Sequence, residues 1–253
     1  MISIVIIGAG NVATHLFRAL ISSKNFQVVQ VYNRTKENLG FFKDKVDTTS
    51  NIEQLKVADI YILALKDDII STVAKTLPNK DALIVHTSGA TSMKALTGME
   101  RGGVFYPLQT FSKTKEVDFS QIPICIEASH RDDEVILEKL SMDISKNVYK
   151  IDSDQRKKLH VAAVFVSNFA NYMYTIGEDI CKNNNIPFEI LHPLIIETAE
   201  KATKIGPLSS QTGPAKRNDE AVIEKHLSLI SNEQRNIYKI ITHAIQGLYG
   251  KEL

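Results

Sequence analysis

The chain has 253 residues, 43% of them hydrophobic and 23% charged, with a formal net charge of +1. This suits a soluble globular protein of one large or two ordinary domains. It leaves no electrostatic footprint for nucleic acid or an anionic membrane. No apolar run approaches the ~20 residues a membrane span needs. The Met1–Ile7 start has neither the basic segment nor the cleavage site of a signal peptide. Cys125 and Cys181 stand far apart without a CxxC spacing. They read as buried thiols in a reducing cytoplasm, with no disulfide framework and no metal site expected.

The apolar, β-branched run Ile4–Ile7 ends in Gly8-Ala9-Gly10-Asn11-Val12-Ala13, and a helical pattern over 11–23 follows at once. Further strands are predicted at 27–32, 59–65 and 82–86, then at 102–106, 122–127 and 147–151. A helix near 132–143 separates the last two. Short apolar strands alternating with helices imply an α/β, mostly parallel sheet covered on both faces. The pattern changes near residue 152. Asp152 and Gln155 have capping-box spacing, and helical periodicity fits 153–183, 187–204, 218–230 and 232–248. Gly206–Asn218 reads as a loop. The expected organisation is a Rossmann-like nucleotide-binding domain over 1–151 and an all-helical domain over 152–253.

The Gly-x-Gly-x-x-Ala turn between a strand and a helix is the fingerprint of dinucleotide binding. Gly8 permits the tight turn, and Gly10 lets the backbone approach a pyrophosphate. Ala13 is small enough for close helix–strand packing. The helix start at Asn11 and Val12 offers N–H groups to phosphate. After the second strand, where an NAD-binding chain places an acidic residue on the ribose, this chain has Asn33-Arg34-Thr35. Arg34 can pair with a 2′-phosphate, and Asn33 and Thr35 can donate to it, so the expected cofactor is NADP. Leu65 and Lys66 follow the third strand and are expected to line the nucleotide cleft. Asp67 and Asp68 read as caps. In His86-Thr87-Ser88-Gly89, the Ser88 hydroxyl either reaches the nicotinamide or substrate, or forms a turn.

On the helix 153–183, His160, Val164, Ser167, Asn168 and Asn171 fall on one face by α-helical counting. Their neighbours are apolar almost all round, which predicts a buried helix. A polar stripe there must be satisfied by other protein groups or by a ligand. His160 and Asn168, with Ser88, are the candidate catalytic residues, and Ser167 a candidate substrate contact. Satisfied core roles stand as the alternative for each. Lys216 and Arg217 could hold an anionic substrate group, while Asn218 or Asp219 could cap a helix. Glu197 and Glu200 read as solvated or ion-paired.

The ordered set GAGNVA, NRT, VHTSG, FYPLQTF, AAVFVSNFANYM and SQTGPAKRND resembles a family of NADP oxidoreductases. Its members join a Rossmann-like domain to a helical C-terminal domain of unassigned function. The resemblance covers essentially the whole chain. The family is similar in plan to pyrroline-carboxylate reductases, to deazaflavin-dependent NADP reductases and to 6-phosphogluconate dehydrogenase. It implies a helical domain of the last enzyme's C-terminal type, a substrate cleft between domains and a homodimer through the helical domain. By the same resemblance Tyr106, Gln109, Thr212, Gly213 and Arg217 line the substrate site. Two positions depart from these patterns: Tyr106 stands where family members carry a histidine, and Val164 stands where the β-hydroxyacid dehydrogenases carry a catalytic lysine. The expectation is a cytoplasmic NADP-dependent oxidoreductase acting on a small C=O or C=N substrate. The alternative is a non-catalytic NADP-binding sensor.

Overall fold

The computed structural model describes residues 1–79 and 81–249. Its eight-stranded sheet has the order β3-β2-β1-β4-β5-β6-β7-β8. The strands are β1 (Ile2–Ile7), β2 (Phe26–Tyr32), β3 (Thr48–Thr49), β4 (Ile60–Leu63), β5 (Leu83–His86), β6 (Gly102–Pro107), β7 (Ile124–Ala128) and β8 (Val148–Lys150). All neighbours pair in parallel except β6 and β7, which are antiparallel. The short, polar β3 gave no apolar signal and was not expected.

Alternation along the strands builds two large cores and a small third cluster of Val104, Tyr106 and Cys125. Ile4, Ile6, Ile62 and Val85 pack with Leu16, Phe17 and Leu20 of α1 (Asn11–Leu20). Val5, Ile7, Tyr61 and Leu63 pack on the other face with Ile70 and Ala74 of the short α2 (Ile70–Ala74). Helix α3 (Arg131–Ile144) returns to the first core through Leu137 and Leu140. Strand order reverses between β1 and β4, and in open α/β sheets ligands bind in the crevice at such a point.

By internal contacts the chain forms two units, Met1–Ser167 and Asn168–Leu253. The division falls further along the long helix than the change of pattern at residue 152. That helix starts at Asp152, whose side chain accepts from the Asp154 and Gln155 amides at 2.9 and 2.8 Å. The Gln155 side chain accepts the Asp152 amide in return, at 3.0 Å. It runs as α4 (Ser153–Ala163), a π-helical segment Val164–Phe169, and α5 (Ala170–Asn183). Asn185 takes a left-handed φ of 56°, as an asparagine closing a helix can. There follow α6 (His192–Lys204), α7 (Pro207–Ser210) inside the expected loop, α8 (Glu220–Ser228) and α9 (Asn232–Tyr249). Asp219 caps α8 by accepting from the Val222 amide at 3.3 Å.

The long helix corrects two expectations. Among its described residues only Arg156 and Cys181 are buried. Val161, Phe165, Val166 and Phe169 are each at least half exposed. Apolar composition all round predicts burial only where other elements supply a covering surface. The π-helical segment also carries an extra residue per turn. His160 and Asn171 therefore do not share one straight face.

Gly8 is the position where packing leaves no choice of residue. Its φ is +118°, and a Cβ there would lie 2.2 Å from the Ala64 carbonyl oxygen. G8A combines a disfavoured backbone with overpacking and should cost about 2–4 kcal/mol, read from the urea midpoint. An unchanged midpoint would contradict this packing.

Candidate active site

The β1–α1 turn is shaped for a phosphate. The Gly8 amide donates to Tyr32 O at 2.7 Å, and the Ala64 amide to Ile7 O at 2.8 Å, so the ends of β2, β1 and β4 are fixed together. Leu65 lies against Gly8: its Cδ2 is 3.5 Å from where a glycine Cβ would stand. Around Gly10, by contrast, a Cβ would meet nothing within 4 Å. No side chain caps α1, so the amides of its first turn at Asn11 and Val12 remain available to an anion. The open approach at Gly10 and the uncapped helix start fit a pyrophosphate.

The Asn11 side chain is otherwise engaged. It donates to Phe111 O at 2.7 Å. One turn on, the buried His15 bonds through Nε2 to Ser112 O at 2.8 Å, and its ring lies 5.0 Å from that of Phe111. These contacts tie the loop after β6 to α1.

At the end of β2, Asn33 donates to Thr35 O at 2.8 Å, which shapes the turn. Arg34 and Thr35 are exposed, and Arg34 joins no ion pair among the described residues. A cavity of about 460 Å³ opens nearby, with Lys36, Lys43, Thr49 and Ser50 in its lining. Residues 33–35 bring no carboxylate to this end of the sheet. Lys66 is exposed and starts a 3-10 turn, Asp67–Ile69, without a side-chain cap. Asp67 and Asp68 sit inside that turn and do not cap it.

The second cluster lies at the ends of β5 and β6. Tyr106 is buried, and its Oη is 3.1 Å from His160 Nδ1 on α4. Burial, chiefly, and the neighbouring Cys125 push the Tyr106 phenol up to about 12, so at neutral pH it keeps its proton. Gly89 touches both rings: a Cβ there would stand 2.6 Å from His160 Nδ1 and 2.8 Å from Tyr106 Oη. Ser88 is buried beside it and accepts the Ala90 and Thr91 amides at 3.2 and 2.9 Å. Its oxygen thus builds the turn that presents Gly89. Gln109 is exposed and accepts the Thr110 amide at 2.8 Å.

A buried charged group that sequence reasoning missed underlies this cluster. Arg156, one turn before His160, is fully buried and ion-paired with Glu127. It also donates to Thr91 O at 2.7 Å and to Ser153 Oγ at 3.1 Å. Ser153 Oγ donates to Glu127 Oε2 at 2.8 Å and accepts the Met93 amide at 2.9 Å. A charge within the otherwise apolar strand 122–127 was the available signal. His86 is buried too and accepts the Ser88 amide through Nδ1 at 3.2 Å. Burial first, then the positive Arg156, push it down to about 4.

In the helical unit, Asn168 is exposed. In the other unit, Ser167 is half-buried at the boundary. Gly213 turns with φ +106°, Thr212 and Arg217 are exposed, and Lys216 donates to Gln211 O at 3.0 Å. Glu197 and Glu200 pair with Lys201 and Lys204 on the surface of α6. Among the described residues no group of three His, Cys, Asp or Glu could hold a metal ion, and no helix is long and apolar enough to cross a membrane.

The sheet, the reversal point and the glycine turn define a Rossmann-type nucleotide-binding unit followed by a helical unit. Residues 3–89 match the family described as NADP oxidoreductase, coenzyme F420-dependent, and residues 122–245 a domain of unknown function, DUF2520. No curated protein matches the sequence. Among solved structures, a Bacteroides fragilis protein named, by inference, an NADP oxidoreductase is 40% identical. The match covers 97% of this chain and 98% of that one, with a TM-score of 0.90. The chain belongs to this family of NADP oxidoreductases. The fold is shared with a Coxiella burnetii pyrroline-5-carboxylate reductase, which is 19% identical with TM-score 0.58 over 99% and 94% of the two chains. An Aspergillus terreus reductive aminase is 12% identical with TM-score 0.72, over 99% and 95%.

The lowered His86 sets a pH dependence of stability. The unfolded chain takes up a proton near pH 6.5 that the folded chain refuses until about pH 4. The neutral ring's contribution is intact above pH 6.5 and declines as pH falls towards 4, by about 3 kcal/mol in all. H86N should flatten the stability-against-pH curve in that window. Parallel curves for the two proteins would refute the assignment.

Proposed function

We propose that the chain binds NADPH on the Gly8–Ala13 turn, with Arg34 on the 2′-phosphate, and reduces a small C=O or C=N substrate. The observation that carries the reading is the Tyr106–His160 hydrogen bond, in the same unit as a turn fitted to a pyrophosphate. Bound NADPH supplies a hydride to the substrate carbon. The chain must then supply a proton to the substrate nitrogen or oxygen. Tyr106 keeps its proton at neutral pH; in the arrangement where it donates to Nδ1, the ring hydrogen sits on Nε2. His160 Nε2 makes no hydrogen bond among the described residues and is the atom we assign as proton donor. Ser88 shapes the turn beside the pair. Ser167 and Asn168, with Gln109, Thr212, Gly213 and Arg217, are proposed as substrate contacts. That assignment is supported by the family resemblance, and Arg217 would suit a carboxylate.

The non-catalytic sensor is favoured by two positions: Val164, where β-hydroxyacid dehydrogenases carry lysine, and Tyr106, where family members carry histidine. Titration with NADPH and NADH, followed by NADPH oxidation across imines and keto acids, separates the two. We expect NADPH to bind more tightly, and R34A to weaken NADPH about tenfold or more while sparing NADH. Y106F and H160N should each lower turnover on the order of 10²-fold. Binding without oxidation of any substrate would favour the sensor. Absence of binding would remove both readings.

A homodimer through the helical unit completes the proposal. Ile190, Leu194, Ile196, Ile240 and Leu248 are each at least 60% exposed, and the family resemblance puts the dimer interface on this unit; apolar side chains that gather into a contiguous patch mark such an interface. Light scattering should give twice the chain mass, and L194E with I240E should return one chain mass. A monomeric wild type would end this part of the proposal.

A further inference from the structure

We propose that the buried Arg156–Glu127 pair is a positioning device that sets His160 on Tyr106. The inference rests on the reading of those two rings as the proton-supplying pair.

The geometry is one of matched repeats. On β6 and β7, Val104 pairs with Glu127 and Tyr106 with Cys125. Residues two apart share a sheet face, so Glu127 and Tyr106 are presented on the same side, about 6.8 Å apart along the strands. Above them, Arg156 and His160 are four residues apart on α4, about 6 Å along the helix and on one face. The helix therefore meets the sheet at two equally spaced points: Arg156 on Glu127, and His160 on Tyr106. The turn after β5 repeats the spacing. Arg156 holds Thr91 O, and two residues earlier Gly89 lies against both rings. Ser153 bonds to Glu127 and accepts from Met93, so the same three segments are joined a second time.

Stability alone does not account for a charged pair here. Removing an arginine and a carboxylate from water costs several kcal/mol per ion, and apolar residues of similar size often serve the fold as well. Apolar contacts are non-directional, whereas a guanidinium fork fixes the carboxylate and the carbonyl at defined angles. The pair thus sets the register between helix, sheet and turn.

The test compares wild type, R156K and the double variant R156M with E127L. Lysine keeps the charge but cannot fork between Glu127 and Thr91. The double variant replaces the pair by apolar groups. The readout is the NMR cross-peak between the His160 and Tyr106 rings, assigned with H160N and Y106F, beside the urea midpoint and NADPH affinity. The wild type should show the cross-peak. R156K should weaken it, and the double variant should lose it while remaining folded and binding NADPH within about twofold of wild type. A full-strength cross-peak in R156K, or in a folded double variant, overturns the inference and leaves the reductase reading standing. If the double variant does not fold, R156K decides alone. A wild type that binds no NADPH overturns the reductase reading, and the cross-peak comparison still decides the role of Arg156.

Discussion

The contact on which the rest of the nucleotide-binding unit depends is the approach of the β1–α1 turn to the Ala64 carbonyl. Only a residue without a side chain fits there, and only one free to adopt positive φ. Because Gly8 fits, β1 and β4 stay paired to their ends, and α1 leaves at an angle that buries Ala13 against the sheet. The crevice at the reversal of strand order, the uncapped amides of α1 and the open space beside Gly10 all follow from that placement. A side chain at residue 8 would remove the geometry by which the unit can face a phosphate, before any ligand contact is considered.

The chemistry is built differently, from groups far apart in sequence. Tyr106 comes from β6, Gly89 from the turn after β5, and His160 from α4. Each is brought in by an element whose own folding is locally determined: a buried strand, a serine-shaped turn, a helix with a reciprocal cap. Beside the apolar packing of Leu159 and Met93 around Tyr106, a fully buried guanidinium with its carboxylate joins the same elements. That arrangement exchanges part of the stability of an apolar core for direction.

Much of this organisation was legible in the sequence, for physical reasons that differ by element. Strands such as Ile4–Ile7 and Leu83–Val85 are apolar because helices cover both their faces, so they announce themselves. Asp152 with Gln155, and Asp219, mark helix starts through bonds made within three residues. The tie of Tyr106 to His160 was not legible, since nothing local reports a contact across 54 positions. Nor was Arg156: a charged residue among Asp154, Lys157 and Lys158 reads as solvated, and only tertiary packing buries it. Strand β3 is two threonines held by its neighbour's backbone. The π-helical segment escaped because apolar residues that run all round a helix look alike at 3.6 or at more residues per turn. The exposure of that helix had the same origin, since composition states what a residue tolerates and not what covers it.

The bonds from Asn11 and His15 to Phe111 and Ser112 tie the loop that leaves Tyr106 to the first turns of α1. The segment that would receive a phosphate and the segment that carries the phenol therefore share an anchor within the free protein. Much of the conformational entropy of that loop is given up during folding and need not be lost again when a ligand arrives. The arrangement is preorganised: a nucleotide settling at the turn would meet a loop already held in place.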